Sequence, residues 1–279
     1  MIIAYWNTQR ASGLASANQN ARARCVWCCE QILRWIIATA ETHQALPSLI
    51  FLAEVSQGGG ELAAYLNTTY SYRARYIPAG DKNNNPSPCS FIVMWQETLN
   101  PEIKVVGASQ RRPVLRVRLD DLTVGAVHII ANPSKAPDEI YGDITELNDE
   151  DQPAVLIGDM NYAWDRLFEP QIGNPGGFAQ EIKNHFRWKP VPPGLQATYG
   201  RRSPEAGRTQ TQILDYLWKS PDVSRIEAMP PIPGYNQWTL IDHAPIAYRI
   251  HLNDEDELMS EAEDEMDDDL RAAASGSRR

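Results

Sequence analysis

The sequence predicts an α/β fold built as a four-layer α/β/β/α sandwich. Short apolar runs with strand character alternate with segments of helical period. The runs fall into two sets, each accompanied by helices, as two face-packed sheets with outer helices require. Acids, amides and histidines collect where the runs end, and both sets contribute such ends to one cleft.

The first strand is read at residues 2–6 and ends at Asn7. Residues 18–40 follow as a helix, because Cys25, Cys28, Ile32, Trp35, Ile36 and Ala40 recur at helical spacing. Pro47 breaks that pattern, and Leu49-Ile50-Phe51-Leu52 forms a second buried strand ending at Glu54. Gly58-Gly59-Gly60 turns the chain into a short helix, followed by an aromatic strand over 70–76. Asn83-Asn84-Asn85-Pro86 marks an exposed loop over 80–88.

Strands are read at 90–95, 103–107 and 114–119, and another over 124–130 with a histidine set inside it. Residues 136–148 read as a helix. Ala154-Val155-Leu156-Ile157 reads as a buried parallel strand with Gly158-Asp159-Met160-Asn161 at its carboxyl end. Residues 170–208 are rich in Pro and Gly around one short helix, 178–186, and strands at 213–218 and 244–250 complete the pattern. No internal repeat or linker interrupts residues 1–252, which are read as one domain.

The formal charge of −10 is unevenly placed. Residues 253–279 hold 11 Asp/Glu and 3 Arg, a net of −8, which leaves the preceding body near neutral at −2. That tail has too little apolar content to fold alone. It reads as a solubilising segment, or as a mimic of nucleic-acid charge competing for the cleft or docking a basic partner. The body has ample core material, with 8 Trp and 11 Tyr among 43% hydrophobic residues. No signal peptide and no membrane-spanning run are evident, so a cytoplasmic protein is expected, with delivery into another cell by separate machinery left open. Cys25, Cys28 and Cys29 share one helix and cannot staple a fold; buried thiols explain them better than a zinc site with a distant fourth ligand.

The strand ends carry the chemistry. They hold Asn7, Glu54, His128, Asp159, Asn161, Asp215, Asp242 and His243. Carboxylate and amide oxygens suit magnesium, and two histidines can move protons near neutral pH. Singly, each is more often a turn or a cap than a ligand. Asp215 differs, because it stands between Leu214 and Tyr216 in an apolar strand. An unpaired carboxylate there is costly, and His128 or His243 is the natural partner. His43, His185 and His251 read as surface or satisfied core.

Six pieces come in order across residues 2–250: AYWNTQ at 4–9, LIFLAEV at 49–55, VGAVHIIANPS at 124–134, VLIGDMN at 155–161, ILDYLW at 213–218 and IDHAPI at 241–246. With them the chain resembles the endonuclease/exonuclease/phosphatase (DNase I-like) superfamily of magnesium-dependent phosphoesterases. Within it the resemblance is greatest to the pancreatic-type deoxyribonucleases and the catalytic B subunit of cytolethal distending toxin.

The resemblance implies a magnesium-dependent endonuclease, with manganese able to substitute, acting on DNA rather than RNA. Glu54 would be the principal metal ligand, helped by Asn7, with Asp242 supporting the metal or its water shell. His243, oriented by Asp215, would be the general base. Asp159 and Asn161 would hold the water and the phosphate, and His128 would stabilise the transition state or protonate the leaving oxygen. Arg111 and Arg112 precede a strand as a phosphate-contacting arginine does in those nucleases. Met160 replaces the usual Phe, Ile241 stands where Ser is usual, and the deoxyribonuclease disulfides have no equivalents.

Two other readings share the scaffold. A phosphoinositide phosphatase or a sphingomyelinase-like phosphoesterase is suggested by Gly158-Asp159-Met160-Asn161-Tyr162, but the phosphatases' Trp-Cys-Asp-Arg type segment is replaced by Ile213-Leu214-Asp215-Tyr216-Leu217-Trp218. A catalytically silent binding module should have lost site residues, whereas all eight positions remain chemically competent.

Overall fold

The computed structural model describes residues 1–9, 19–55, 59–69, 71–80, 89–106, 112–148, 151–170, 175–202, 209–230 and 242–252. Two six-stranded sheets pack face to face. In chain order the first contains β1 (Ile2–Asn7), β2 (Leu49–Val55), β3 (Tyr72–Ile77), β4 (Ser90–Gln96), β13 (Arg225–Ala228) and β14 (Ile246–His251), arranged β13-β14-β1-β2-β4-β3. The second contains β5 (Glu102–Val106), β6 (Val114–Arg118), β7 (Thr123–His128), β8 (Ala154–Asp159), β9 (Lys189–Val191) and β12 (Asp215–Lys219), arranged β5-β6-β7-β8-β12-β9. A separate hairpin pairs β10 (Tyr199–Arg202) with β11 (Thr209–Gln212).

Alternation along each central strand builds three cores. Ile3 and Tyr5 of β1, Phe51 of β2, Ile157 of β8 and Leu217 of β12 meet between the sheets. Ala4, Trp6, Ile50 and Leu52 face outward, against α1 (Gln19–His43) and α2 (Gly59–Thr69). On the other side Leu156, Tyr216 and Trp218 pack under α3 (Ala136–Asn148) and α4 (Gly177–Phe186). These strands are apolar on both faces because a helix layer and a second sheet cover them, as the unbroken hydrophobic runs of the sequence require. The expected α/β/β/α layering is the architecture found.

Each sheet has one parallel pair at its centre, β1 with β2 and β7 with β8, connected through α1 and α3. Their neighbours β14 and β12 run antiparallel to β1 and β8. β1, β2, β7 and β8 therefore finish, and β12 and β14 begin, at one end of the molecule.

The elements differ from the sequence reading where local pattern was weak. β7 stops at His128, two residues earlier than expected, so the histidine ends the strand rather than interrupting it. Asp215 opens β12 instead of lying inside it, because Ile213 and Leu214 fall between β11 and β12. The 3-10 helix Trp164–Phe168 and strands β9, β10, β11 and β13 come from short or Pro/Gly-rich stretches without a readable period. The four cysteines are buried free thiols. Among the described residues no helix is long and apolar enough to cross a membrane. The acidic tail, Arg111 and most of the 80–88 loop lie outside the described residues.

Candidate active site

Parallel pairing places His128 directly beside Asp159, and antiparallel pairing places Asp215 opposite Asp159. Because cross-strand partners project from the same face, all three side chains enter the layer between the sheets. Asn7 reaches across that layer, its Nδ2 donating to Asp159 Oδ2 at 2.9 Å. Glu54 arrives by a different device. The register between β2 and β4 slips between Leu52 and Val55, and Glu54 has φ 54°. Such a bulge re-aims a side chain at a strand end, and a positive φ on a non-glycine residue is a conformational cost that concentrates at functional sites.

His243 precedes β14 and is clasped by the β10–β11 hairpin. Tyr199 bridges to His243, the Gly200 amide donates to the Asp242 carbonyl, and the Ala244 amide donates to the Thr198 carbonyl. Trp6 Nε1 donates to the His243 carbonyl at 3.0 Å. The Tyr199 ring lies 5.0 Å from the imidazole, centre to centre. Thr198 Oγ1 also accepts the amides of Leu214 and Asp215, at 2.9 Å each. The hairpin and the Thr198 that leads into it thus hold both partners of a buried side-chain contact, His243 Nδ1 to Asp215 Oδ2 at 2.8 Å.

Three further approaches complete the cluster. His243 Nε2 and His128 Nε2 each lie 3.6 Å from Asp159 Oδ2, and His128 Nε2 is 3.2 Å from Glu54 Oε1. Asp159 Oδ1 accepts the Asn161 amide at 2.9 Å, and Asn161 Nδ2 donates to the Ile129 carbonyl. Asn161, like Glu54, has positive φ, at 46°.

Asp159, Asp215, His128 and His243 are buried, while the Glu54 and Asp242 side chains keep 19% and 26% of their surface exposed. Burial would keep the His243 imidazole neutral, but the Asp215 and Asp159 carboxylates outweigh it and push His243 up to about 10. Burial, with Asp215 adding to it, pushes Asp159 up to about 7, against the pull of His243 and the hydrogen bonds from Asn161 and Asn7. The site is crowded with carboxylate and would favour an added cation.

The cluster opens into a cleft of about 420 Å³ lined by Asn7, Glu54, His128, Asp159, Asp242 and His243, with Asn161 and Arg112 among its other walls. No protein-family model and no curated protein matches the chain. Solved structures do. Zebrafish (D. rerio) TDP2 complexed with a single-strand DNA product superposes with a TM-score of 0.55 at 14% identity, over 90% of this chain and 98% of that one. An endonuclease/exonuclease/phosphatase family protein from Leptotrichia buccalis gives 0.54 at 15%, over 90% and 99%. The endonuclease domain of TRAS1, a telomere-specific non-LTR retrotransposon, gives 0.52 at 11%, over 90% and 99%.

The chain has the endonuclease/exonuclease/phosphatase fold. On that fold, Asn7, Glu54, His128, Asp159, Asn161, Asp242 and His243 line one cleft, and Asp215 lies behind them. Arg112 reaches the same wall, with Nη1 donating to the carbonyls of His128 and Ile129 at 3.1 and 2.6 Å, so part of its guanidinium is spent on holding the end of β7. His185 packs on Tyr141, and His251 lies 3.9 Å from Glu227; neither lines the cleft.

The sequence reading missed Gln9, Arg24 and Tyr199 as cleft residues. Gln9 closes the AYWNTQ piece, but no role was read for it there. Arg24 sits within a helical run, and Tyr199 belongs to a hairpin whose strands leave no periodic signal.

The ligand atoms of Asp159, Asp215 and His243 lie within 4.8 Å of one another. This trio could hold a metal, but Asp215 is fully buried and its Oδ2 is already engaged by His243. A magnesium-like ion keeps several waters and needs exposed oxygens. Glu54 and Asp242 offer exposed carboxylate oxygens at the rim, and behind them the buried Asn7 amide oxygen also accepts the Gln9 amide.

Proposed function

We propose that the chain is a divalent-metal-dependent phosphodiesterase, and that its substrate is DNA cut within the strand. The observation that carries this reading is the buried His243–Asp215 couple, whose outer nitrogen faces Asp159 at the floor of an oxygen-lined cleft. The DNA product bound by zebrafish TDP2 and the endonuclease domain of TRAS1, both of this fold, support the choice of substrate.

Glu54, Asn7 and Asp242 would hold the metal, magnesium first and manganese in its place. When bound, it would neutralise charge building on the phosphate oxygens. Asp215 accepts from His243 Nδ1, leaving Nε2 to take a proton from the attacking water. Asp159 orients that water and is held in turn by Asn7 and the Asn161 amide. The second hydrogen of Asn161 Nδ2 is directed to phosphate. His128 Nε2 faces the transition state from the other side, donating to a phosphoryl oxygen or to the leaving group. Arg112 adds positive charge at the rim. The work is mainly positioning and charge neutralisation.

Tyr162, which gave the phosphatase reading its motif, is buried and does not line the cleft. It therefore lends that reading no support at the site.

The test is purified chain with magnesium on supercoiled plasmid, single strands, RNA and phosphoinositide. Plasmid nicking is expected, slowed at least about a hundredfold by His243→Ala and by Asp159→Ala with the fold intact. Near wild-type nicking by either variant, or turnover of phosphoinositide alone, would overturn it.

A further inference from the structure

Arg24 is an unassigned cation in the wall of the cleft. It projects from α1, the helix covering the first sheet, whereas Arg112 enters beside β7 of the second. Arg24 is half-buried, and its Nε is sealed from solvent without a hydrogen-bond partner among the described residues. It shares the cleft with Glu54, Asp159 and Asp242, yet no ion pair joins it to them among the described residues.

Such a placement is costly. A buried guanidinium N–H without an acceptor forfeits the hydration it had in the unfolded chain. No acid precedes Glu30 in α1 to offset it, and the first turn has none. A local rule broken without compensation inside a cleft points to a ligand that supplies the missing partner. A phosphate anion would supply both the missing acceptor and the counter-charge. The cleft, at about 420 Å³, falls within the roughly 300–1,000 Å³ that accommodates more than a single small group.

We infer that Arg24 forms a second phosphate subsite, which grips a phosphate neighbouring the scissile one along a nucleic-acid strand. This rests on the phosphodiesterase reading above and deepens it. The chemistry at Asn7, Glu54, Asp159 and His243 needs only the reacting phosphate. Arg24 rewards a substrate that carries another one, and so favours a polynucleotide over an isolated phosphodiester. A guanidinium suits this task because its planar fork can grip two phosphate oxygens and it stays charged when half-buried.

The experiment uses the full chain and its Arg24→Gln and Arg24→Lys variants. Binding of a fluorescent oligothymidylate of about twelve nucleotides is followed by anisotropy in chelator across a salt series. Hydrolysis of the same oligonucleotide and of bis(p-nitrophenyl) phosphate is then measured with magnesium. Arg24→Gln is expected to reduce the steepness of log affinity against log salt by about 0.7, the share of one phosphate on a single strand. It should also lower kcat/KM on the oligonucleotide at least about tenfold more than on bis(p-nitrophenyl) phosphate. Arg24→Lys should restore the salt slope and only part of the affinity, since the charge returns without the fork.

An unchanged slope in Arg24→Gln, or equal losses on the two substrates, would overturn the subsite. A greater dependence on Arg24 for vesicles containing phosphatidylinositol bisphosphate than for the oligonucleotide would overturn its assignment to a nucleic-acid strand. Failure of the unmodified chain to hydrolyse any phosphodiester would overturn the phosphodiesterase reading instead, and the salt slope in chelator would still decide the role of Arg24.

Discussion

His243 Nδ1 and Asp215 Oδ2 lie 2.8 Å apart, with both side chains buried, and the other imidazole nitrogen faces Asp159 at 3.6 Å. In the neutral imidazole the contact keeps the proton on Nδ1 and leaves Nε2 as the acceptor. Asp215→Asn keeps the volume but removes the charge that stabilises an imidazolium. A loss in kcat on the order of 10²–10⁴ is expected, with KM little changed. Steady-state kinetics on an oligonucleotide, beside a thermal melt confirming the fold, measures it.

Glu54 is brought to the rim by a bulge and by a backbone angle that few non-glycine residues adopt. If it is the main metal ligand, magnesium should raise the melting temperature of the unmodified chain. At a hundredfold excess over its dissociation constant the stabilisation is about 2.7 kcal/mol. Glu54→Gln should abolish most of that shift while leaving the melt in chelator nearly unchanged. Calorimetry with and without magnesium reads both.

The metal-free site also sets a pH dependence of stability. Burial alone would lower the His243 value, but Asp215 and Asp159 raise it from 6.5 to about 10. The imidazolium therefore stabilises the fold. Its contribution is whole below 6.5 and is lost as pH rises through about 10. Asp159, raised by burial from 3.8 to about 7, acts in the same sense, because the fold favours its protonated form and that contribution is lost as pH rises through about 7. In chelator these two groups should lower the melting temperature between about pH 4 and pH 10, and His243→Gln should flatten the upper part of that fall. A His243→Gln profile as steep as that of the unmodified chain would count against the geometry.

Gly158 occupies a place where β7 passes too close for a side chain. A Cβ there would run into the Val127 carbonyl and come within 2.8 Å of its Cγ2. The parallel β7–β8 ladder would have to shift, carrying Asp159 with it. Gly158→Ala should cost about 1–3 kcal/mol in chemical denaturation and lower activity by more than the stability loss explains.

Much of the site was legible in single residues. The hydrophobic runs located β1, β2, β7 and β8, and a polar residue closing a buried strand is a strong local contrast. Asp215 was expected to need a histidine because an isolated carboxylate beside Leu214 and Tyr216 is costly, but His128 and His243 stood as equal candidates. Cross-strand register decided between them by setting His128 beside Asp159 and Glu54. Arg112 looked like a phosphate contact from its place before a strand, yet much of its work is to hold two carbonyls at the end of β7.

The order of apolar runs by itself determined the four layers and the end of the molecule where the chemistry gathers, because burial on both faces leaves strands of that composition few alternatives. The fine geometry was decided only in three dimensions. The β10–β11 hairpin, drawn from a stretch with no period, clasps His243 and steadies the start of β12. A bulge aims Glu54, and a helix covering the first sheet brings Arg24 into the same cleft. Each depends on contacts between residues far apart in the chain, whose distances sequence periodicity cannot encode.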